Sequence, residues 1–267
     1  MRRGPIFVIG PPRTGSTLVT QLIVNNFKVS TFTNLHCQWR RVPWIAEFIR
    51  TFVYRNRRVH YDSQFGKTEE KWAPSECPSF WYQFYPRFPS RITEQNINAI
   101  NHRALVRSIG ILGQLDQRVP ILKNLINSMR IASLAQAFPQ SIFLWTTRNE
   151  KSMIPSILQA RRANVGTIQK WWSIRPDEFH NWKNLLPEEQ VQRQVASVQK
   201  VILEDLERSS ISSARVLKVQ YEHVSADPDR FLKSAELFLK RIGVSPRERN
   251  GTWDTEGVGT LKEVIDP

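Results

Sequence analysis

Short runs rich in apolar and β-branched residues alternate along this chain with longer stretches in which apolar positions recur every three or four residues. The short runs are "PIFVIG" (5–10), "KVSTF" (28–32), "VPILK" (119–123), "SIFLWTT" (141–147) and "RVLKV" (215–219). These runs read as strands, and the continuous apolar run of 5–10 predicts one buried on both faces, as in a parallel sheet. The longer stretches predict helices over 15–26, 42–56, 94–112, 129–138, 150–163, 188–208 and 228–242. The last is bounded most clearly, with Asp227 as N-cap, Pro228 at the first helical position, and Phe231, Leu232, Ala235, Phe238 and Leu239 along one side. Strands alternating with helices predict an α/β fold, a P-loop-type parallel β-sheet flanked by helices on both faces. No internal repeat or low-complexity linker divides the chain, so a single domain over 1–267 is expected. The stretch 60–92 lacks either periodicity and is rich in aromatic residues and proline, which predicts a functional loop.

Composition adds one constraint. At 267 residues and 40% apolar the chain can bury a sizeable core. Its 38 Lys and Arg against 24 Asp and Glu give a net charge of +14, which points to an acidic partner: nucleic acid, an anionic membrane, or a phosphorylated or sulfated small molecule. The two cysteines, Cys37 and Cys77, are too few for a disulfide framework and lack metal-ligand spacing, so reduced thiols are expected. The first apolar run is too short for a signal sequence or a membrane span, and a cytoplasmic setting follows as the expectation.

The first strand-to-helix turn carries the chemistry. In "IGPPRTGSTL" (9–18), Gly10, Gly15 and Thr17 stand where the phosphate-binding pattern G-x-x-x-x-G-K-[ST] requires them, but the lysine position holds Ser16 and a cation sits inside the loop as Arg13. A triphosphatase uses that lysine on the β- and γ-phosphates and a strand-end carboxylate for magnesium. Here "SIFLWTT" ends in Arg148 and Asn149 instead. The loop amides and the helix N-terminus can still cradle one phosphate-like group, with Arg13 as clamp and Ser16 and Thr17 as hydroxyl donors. Arg148, beside Asn149 as helix N-cap, and Ser156, two turns along that helix, form a second anion site. The implied ligand is a nucleotide with two separated anionic groups and no required metal.

These residues also carry a resemblance. "GPPRTGSTL" resembles the 5′-phosphosulfate loop of the sulfotransferase family. "FLWTTRNEKSMIPS" resembles that family's 3′-phosphate motif, and "LKVQYEHVSADPDRFLKSAELFLKRIGV" is similar to its third landmark. The three occur in the family's order over residues 6–244. The resemblance implies 3′-phosphoadenosine 5′-phosphosulfate (PAPS) as donor and adenosine 3′,5′-bisphosphate (PAP) as product. It implies that Arg13, Thr14, Gly15, Ser16 and Thr17 bind the 5′-phosphosulfate, that Arg148 and Ser156 bind the 3′-phosphate, and that Tyr221 lies near the nucleoside. "RERNGTW" (247–253) matches the family's C-terminal nucleotide-closing segment only loosely and is left out of the site.

Sulfuryl transfer to a hydroxyl requires positioning, charge stabilisation and a base. Arg13 and Lys123 are the candidates for charge stabilisation; Lys123 ends "VPILK", which points it at the strand ends. The candidate bases are Glu76, His36 and His60. Glu76 is preferred because "YDSQFGKTEEKWAPSECPSFWYQFYP" (61–86) resembles a bacterial branch in which G-[KR]-T is followed by P-x-E and then F-W. Some carbohydrate-modifying branches carry a Glu just after the first helix; none lies between Gln21 and Arg41 here. The preferred acceptor is a carbohydrate or glycolipid hydroxyl, an expectation drawn mostly from the branch. Two segments bear on it. "RRVPWIAEFIRTFVYRNRR" (40–58) carries six arginines and one acid, and as a helix aligns Ile45, Phe48, Ile49, Phe52 and Val53. That stripe either faces the core or docks on an anionic membrane or acidic glycan. "KWWSIRPDEFHNW" (170–182) reads as an acceptor lid or as packing. A magnesium-dependent small-molecule kinase would share the fold but needs the missing lysine. A nucleic-acid-binding module would suit the charge but shows no recognised motif, and no nucleic acid partner is expected.

Overall fold

The five apolar runs pair with one another in a computed structural model that describes residues 4–40, 42–55, 57–61, 63, 65–247 and 252–258. The sequence enters through β1 (Ile6–Ile9) and turns into α1 (Ser16–Asn26), β2 (Val29–Ser30), α2 (Asn34–Gln38) and α3 (Pro43–Phe52). Short helices α4 (Pro78–Trp81) and α5 (Glu94–Ile97) precede α6 (His102–Gly110). Then come β3 (Val119–Lys123), α7 (Ile131–Ala137), β4 (Ile142–Thr147), α8 (Glu150–Val165), α9 (Pro187–Arg208), β5 (Val216–Gln220), α10 (Tyr221–Ala226) and α11 (Pro228–Lys240). The strands form one parallel sheet in the order β2-β3-β1-β4-β5.

The central strand shows why the runs are continuous. Ile6 and Val8 pack into a core shared with α1 and α11, whereas Phe7 and Ile9 pack into a second core shared with α6, α7 and α9. Every residue of β1 is buried, so no position tolerates a polar side chain. The α/β architecture with helices on both faces is as expected. β1 leads through α1 to β2 at one edge, and β4 leads through α8 and α9 to β5 at the other. The connections leaving β1 and β4 therefore diverge, which opens a crevice beyond their carboxyl ends. The loops that follow these two strands carry Arg13 and Arg148.

Two expectations need correction, and one alternative left open is resolved. The helix predicted over 94–112 is two, because asparagine side chains offer the backbone local partners that compete with a continuous helix. Asn96 Oδ1 accepts from the Thr93 amide at 2.8 Å, and Asn101 Oδ1 accepts from the Ala104 amide at 3.0 Å. The stretch predicted over 129–138 opens as a 3-10 turn at Leu125–Met129 and becomes α-helical only at α7. The open alternative concerns α3: the outer part of its apolar stripe does not face the core, while Ile45 and Ile49 are half-buried. Glu47, Arg50 and Thr51 are buried, whereas Phe48, Phe52 and Val53 are exposed. A buried ionic network holds that polar face inward, as described below.

Candidate active site

The loop after β1 is shaped by two close approaches. A Cβ on Gly10 would lie 2.4 Å from the Thr146 carbonyl oxygen of β4, and its φ of 148° suits glycine alone. A Cβ on Gly15, at φ 75°, would lie 2.3 Å from the Tyr221 ring. Between them Arg13 holds a left-handed φ of 66°, an uncommon conformation for a side-chain-bearing residue. The loop is fastened from below. Thr14 shares a 2.7 Å hydrogen bond with Thr146 and donates to the Pro11 carbonyl at 2.9 Å, and the Ser128 hydroxyl accepts from the Gly10 amide at 2.9 Å. Gly15 caps α1 without a side chain, so the first amides of the helix remain free to face a ligand.

Two guanidinium groups meet above this loop. Arg13 Nε donates to Ser156 Oγ at 2.9 Å, joining the α1 loop to α8, and its guanidinium lies 5.3 Å from the Phe65 ring centroid. Arg148 lies 4.6 Å over the Tyr221 ring. Asn149 caps α8 as expected, accepting from the Lys151 amide at 2.9 Å. Among the described residues neither arginine forms an ion pair with a carboxylate, and the buried Nε of Arg148 has no hydrogen-bond partner. Burial, and then the charge of Arg148, push the Arg13 guanidinium down to about 10. It stays charged near neutral pH. Two adjacent, desolvated cations with no acid to neutralise them are costly unless an anion completes the site.

The third cation comes from β3. Lys123 Nζ lies 2.9 Å from Glu76 Oε1, donates to Thr17 Oγ1 at 2.8 Å, and makes a longer 3.4 Å contact with the Gly66 carbonyl. Glu76 is held through its backbone: its carbonyl accepts from Asn124 Nδ2 at 3.0 Å and from Trp81 Nε1 at 3.2 Å. Lys123 thus spans a carboxylate on the 60–92 segment and a hydroxyl at the start of α1.

A cavity of about 500 Å³ collects these groups. Arg13, Gly15, Ser16, Thr17, Glu76, Lys123, Arg148 and Tyr221 all line it. Thr14 does not: its hydroxyl is spent on Thr146 and Pro11, leaving only its backbone for a ligand. Ser156 reaches the site through Arg13. The other two candidate bases lie elsewhere. His36 is buried against Thr33, 2.9 Å from its hydroxyl, and against Glu47 at 3.3 Å. His60 is 71% exposed and pairs with Glu70 at 3.3 Å. The segment 170–182 divides its roles: Trp172 and Ser173 line the cavity, whereas Trp171 packs over Arg161 and against Phe179.

The sequence reading did not single out Asn34, Phe65 or Asn124 as site residues. Asn34 donates to the carbonyls of Thr68 and Glu70 at 2.8 and 2.9 Å, which pins the cavity wall to the start of α2. A lone asparagine carries no sequence signal for such a role. Most of the 247–253 segment lies outside the described residues. No group of three or more His, Cys, Asp or Glu among the described residues is arranged to hold a metal ion.

Comparison with known proteins gives a consistent picture. The model of the family described as "Sulfotransferase family" matches residues 5–241. Omega-hydroxy-beta-dihydromenaquinone-9 sulfotransferase Stf3 of Mycobacterium bovis and its counterpart in Mycobacterium tuberculosis are each 24% identical over 246 residues, or 86% of this chain. The chain covers 61% of the length of these relatives. Sulfotransferase STF9 from Mycobacterium avium shares the fold with a TM-score of 0.60 and 14% identity, covering 99% of this chain and 68% of its own. Sulfotransferase STF1 from Mycobacterium tuberculosis does so with a TM-score of 0.56 and 14% identity, over 99% and 76%.

Proposed function

The chain belongs to the sulfotransferase family, and from that premise we propose that it transfers a sulfuryl group from PAPS to a hydroxyl on a lipid-linked acceptor. The observation that carries the reading is the pair Arg13 and Arg148, one half-buried and one buried, with no carboxylate partner among the described residues, on either side of the crevice between β1 and β4. Two cations so placed fit a nucleotide with anionic groups at both ends.

PAPS, when bound, supplies an activated sulfuryl group and departs as PAP. The chain's own groups prepare for that. The free amides of α1 and the hydroxyls of Ser16 and Thr17 orient the 5′ end, and Arg13 neutralises its charge. Lys123 holds its ammonium between Thr17 and Glu76, where charge gathers on the departing phosphate. Glu76 accepts the acceptor's proton, with its backbone fixed by Asn124 and Trp81. Arg148 takes the 3′-phosphate. Ser156 accepts a hydrogen bond from Arg13, which leaves its own proton to donate there. Tyr221 forms the wall against the nucleoside.

The acceptor class follows from the remaining walls. Phe65, Pro74, Pro78, Leu125, Ile126 and Trp172 offer apolar surface beside Glu76, which suits a hydroxyl carried on an apolar stem. A glycolipid satisfies this, and so does a hydroxylated quinone lipid of the kind named for the mycobacterial relatives. The reaction is assigned to the cytoplasm, where Cys37 and Cys77 stay as free thiols.

Calorimetric titration with PAP and with ATP, each with and without Mg²⁺, tests the donor site. PAP is expected to bind without metal, and Arg148→Ala to weaken it by about tenfold or more. Preference for ATP with Mg²⁺, or no binding of either nucleotide, would overturn the proposal.

A further inference from the structure

Helix α3 is turned with its apolar face to solvent. Trp44, Phe48 and Phe52 recur every four residues and so form one stripe, and they are 63%, 54% and 62% exposed. The rings of Phe48 and Phe52 lie 4.7 Å apart at their centroids, and Val53, also 62% exposed, extends the stripe. The helix cannot roll over to hide these groups. Glu47, on the inner face, accepts from Arg50 Nε and Nη2 at 2.7 Å each and from the Gly113 amide at 2.6 Å, and it lies 3.3 Å from His36 Nε2. Arg50 continues to Asp116 at 3.2 Å. Rotation would strand both buried charges.

The surroundings identify what the stripe meets. Exposed Arg40 precedes α3, and exposed Arg55 and Arg57 follow it. Glu47, the one acid between residues 40 and 57, is buried, so no negative side chain of this segment reaches its surface. Beside the stripe, Trp39, Arg40, Val42 and Ile45 line an open crevice. Gln38, on the same crevice, ends the helix that begins at the cavity residue Asn34, a rise of about 6 Å. An aromatic stripe bracketed by arginines matches the requirements of a lipid interface: apolar groups for the acyl boundary and cations for headgroup phosphates. A symmetric pairing of two copies through this face would instead bring the arginines of both together.

We propose that Trp44, Phe48 and Phe52 insert into the surface of an anionic lipid bilayer, with Arg40, Arg55 and Arg57 on the headgroups, so that the protein works as a peripheral membrane protein. Nothing in this depends on Arg148 or Glu76, and it stands or falls apart from the catalytic reading. If the acceptor is a membrane lipid, the attachment brings the cavity to it.

Flotation of the full chain with vesicles tests the inference. Phosphatidylcholine vesicles with and without phosphatidylglycerol would be compared at about 0.15 M salt. Wild type would be run beside Trp44→Ser/Phe48→Ser/Phe52→Ser and, separately, Arg40→Ala/Arg55→Ala/Arg57→Ala. Urea melts of each variant check that the fold survives. Wild type is expected to float with the anionic vesicles alone, and each triple variant to bind them about tenfold more weakly or worse. Failure of wild type to float, or wild-type-like binding by the aromatic variant, would overturn the proposal. So would light scattering that shows a wild-type dimer converted to monomer by the serine substitutions, since the stripe would then belong to a second copy.

Discussion

Lys123 holds three partners at once, and its position sets what each neighbouring residue contributes. Its ammonium touches the Glu76 carboxylate and the Thr17 hydroxyl, so the proposed base, the proposed leaving-group cation and the α1 terminus are one connected unit. Glu76→Gln keeps the backbone bonds from Asn124 and Trp81 while removing the proton acceptor. It is expected to lower kcat by about 10²–10⁴-fold and to leave PAP affinity within about a factor of two. Steady-state rates beside calorimetry separate the two, and a large loss of PAP affinity would count against a base role. Gly15→Ala acts differently, by forcing a methyl group into the Tyr221 ring at a left-handed φ. A stability loss of at least about 1 kcal/mol is expected in urea melts, together with weakened PAP binding. The loop itself was legible in sequence because its glycines and its strand-to-helix context are local. The sequence favoured Glu76 as base through a resemblance, but it did not show where the two alternatives sit. His36 and His60 have suitable chemistry, but one caps α2 under Glu47 and the other faces solvent beside Glu70, and both facts depend on tertiary contacts.

Helix α3 marks where a pattern was legible and its direction was left open. The spacing of Phe48 and Phe52 predicts one apolar face, and periodicity has no term for what lies on the other side. The polar face wins the interior because Glu47 finds Arg50, His36 and the Gly113 amide there, partners from α2 and from a loop more than sixty residues away. Short helices α2, α4 and α10 escaped the same reading because five, four and six residues do not display a period. The Glu47 cluster yields a pH prediction. Burial opposes its ionisation, but the hydrogen bonds from Arg50, then His36, outweigh that and hold its carboxyl below the ordinary carboxylate range. A depressed folded value means that the cluster's stabilisation is fully present above the unfolded value of about 4.3 and is lost as pH falls through the lower folded value. Glu47→Gln is expected to cost about 3 kcal/mol at pH 7 and much less at the acid end, flattening the acid limb of a stability profile. Urea melts of both proteins across that range check it; parallel profiles would show that Glu47 is not the titrating group.

At the scale of the molecule, strand order decides where the site sits. The five apolar runs established a parallel sheet, but nothing in them said that β1 lies between β3 and β4, and that arrangement is what brings Arg13 and Arg148 to the same crevice. The net charge of +14 was plain from composition and belongs to this scale as well, because it acts before any contact forms. On the proposed reading, an anionic nucleotide approaching the crevice would be drawn by the whole positive field, whereas its departure would be governed by short-range bonds to Arg148 and the α1 amides. The two steps must therefore respond differently to salt. Raising ionic strength from about 0.05 to about 0.5 M shortens the screening length severalfold, and the association rate of PAP is expected to fall by about tenfold or more. Its dissociation rate should change by much less, because the buried pairs are poorly screened. Arg148→Ala should show the reverse pattern, with a faster dissociation rate and a salt slope for association nearly as steep as that of wild type. Stopped-flow binding resolves both rates. An association rate that does not depend on salt would mean that the excess positive charge serves another surface, and the arginine-bracketed face of α3 would then be the first place to look.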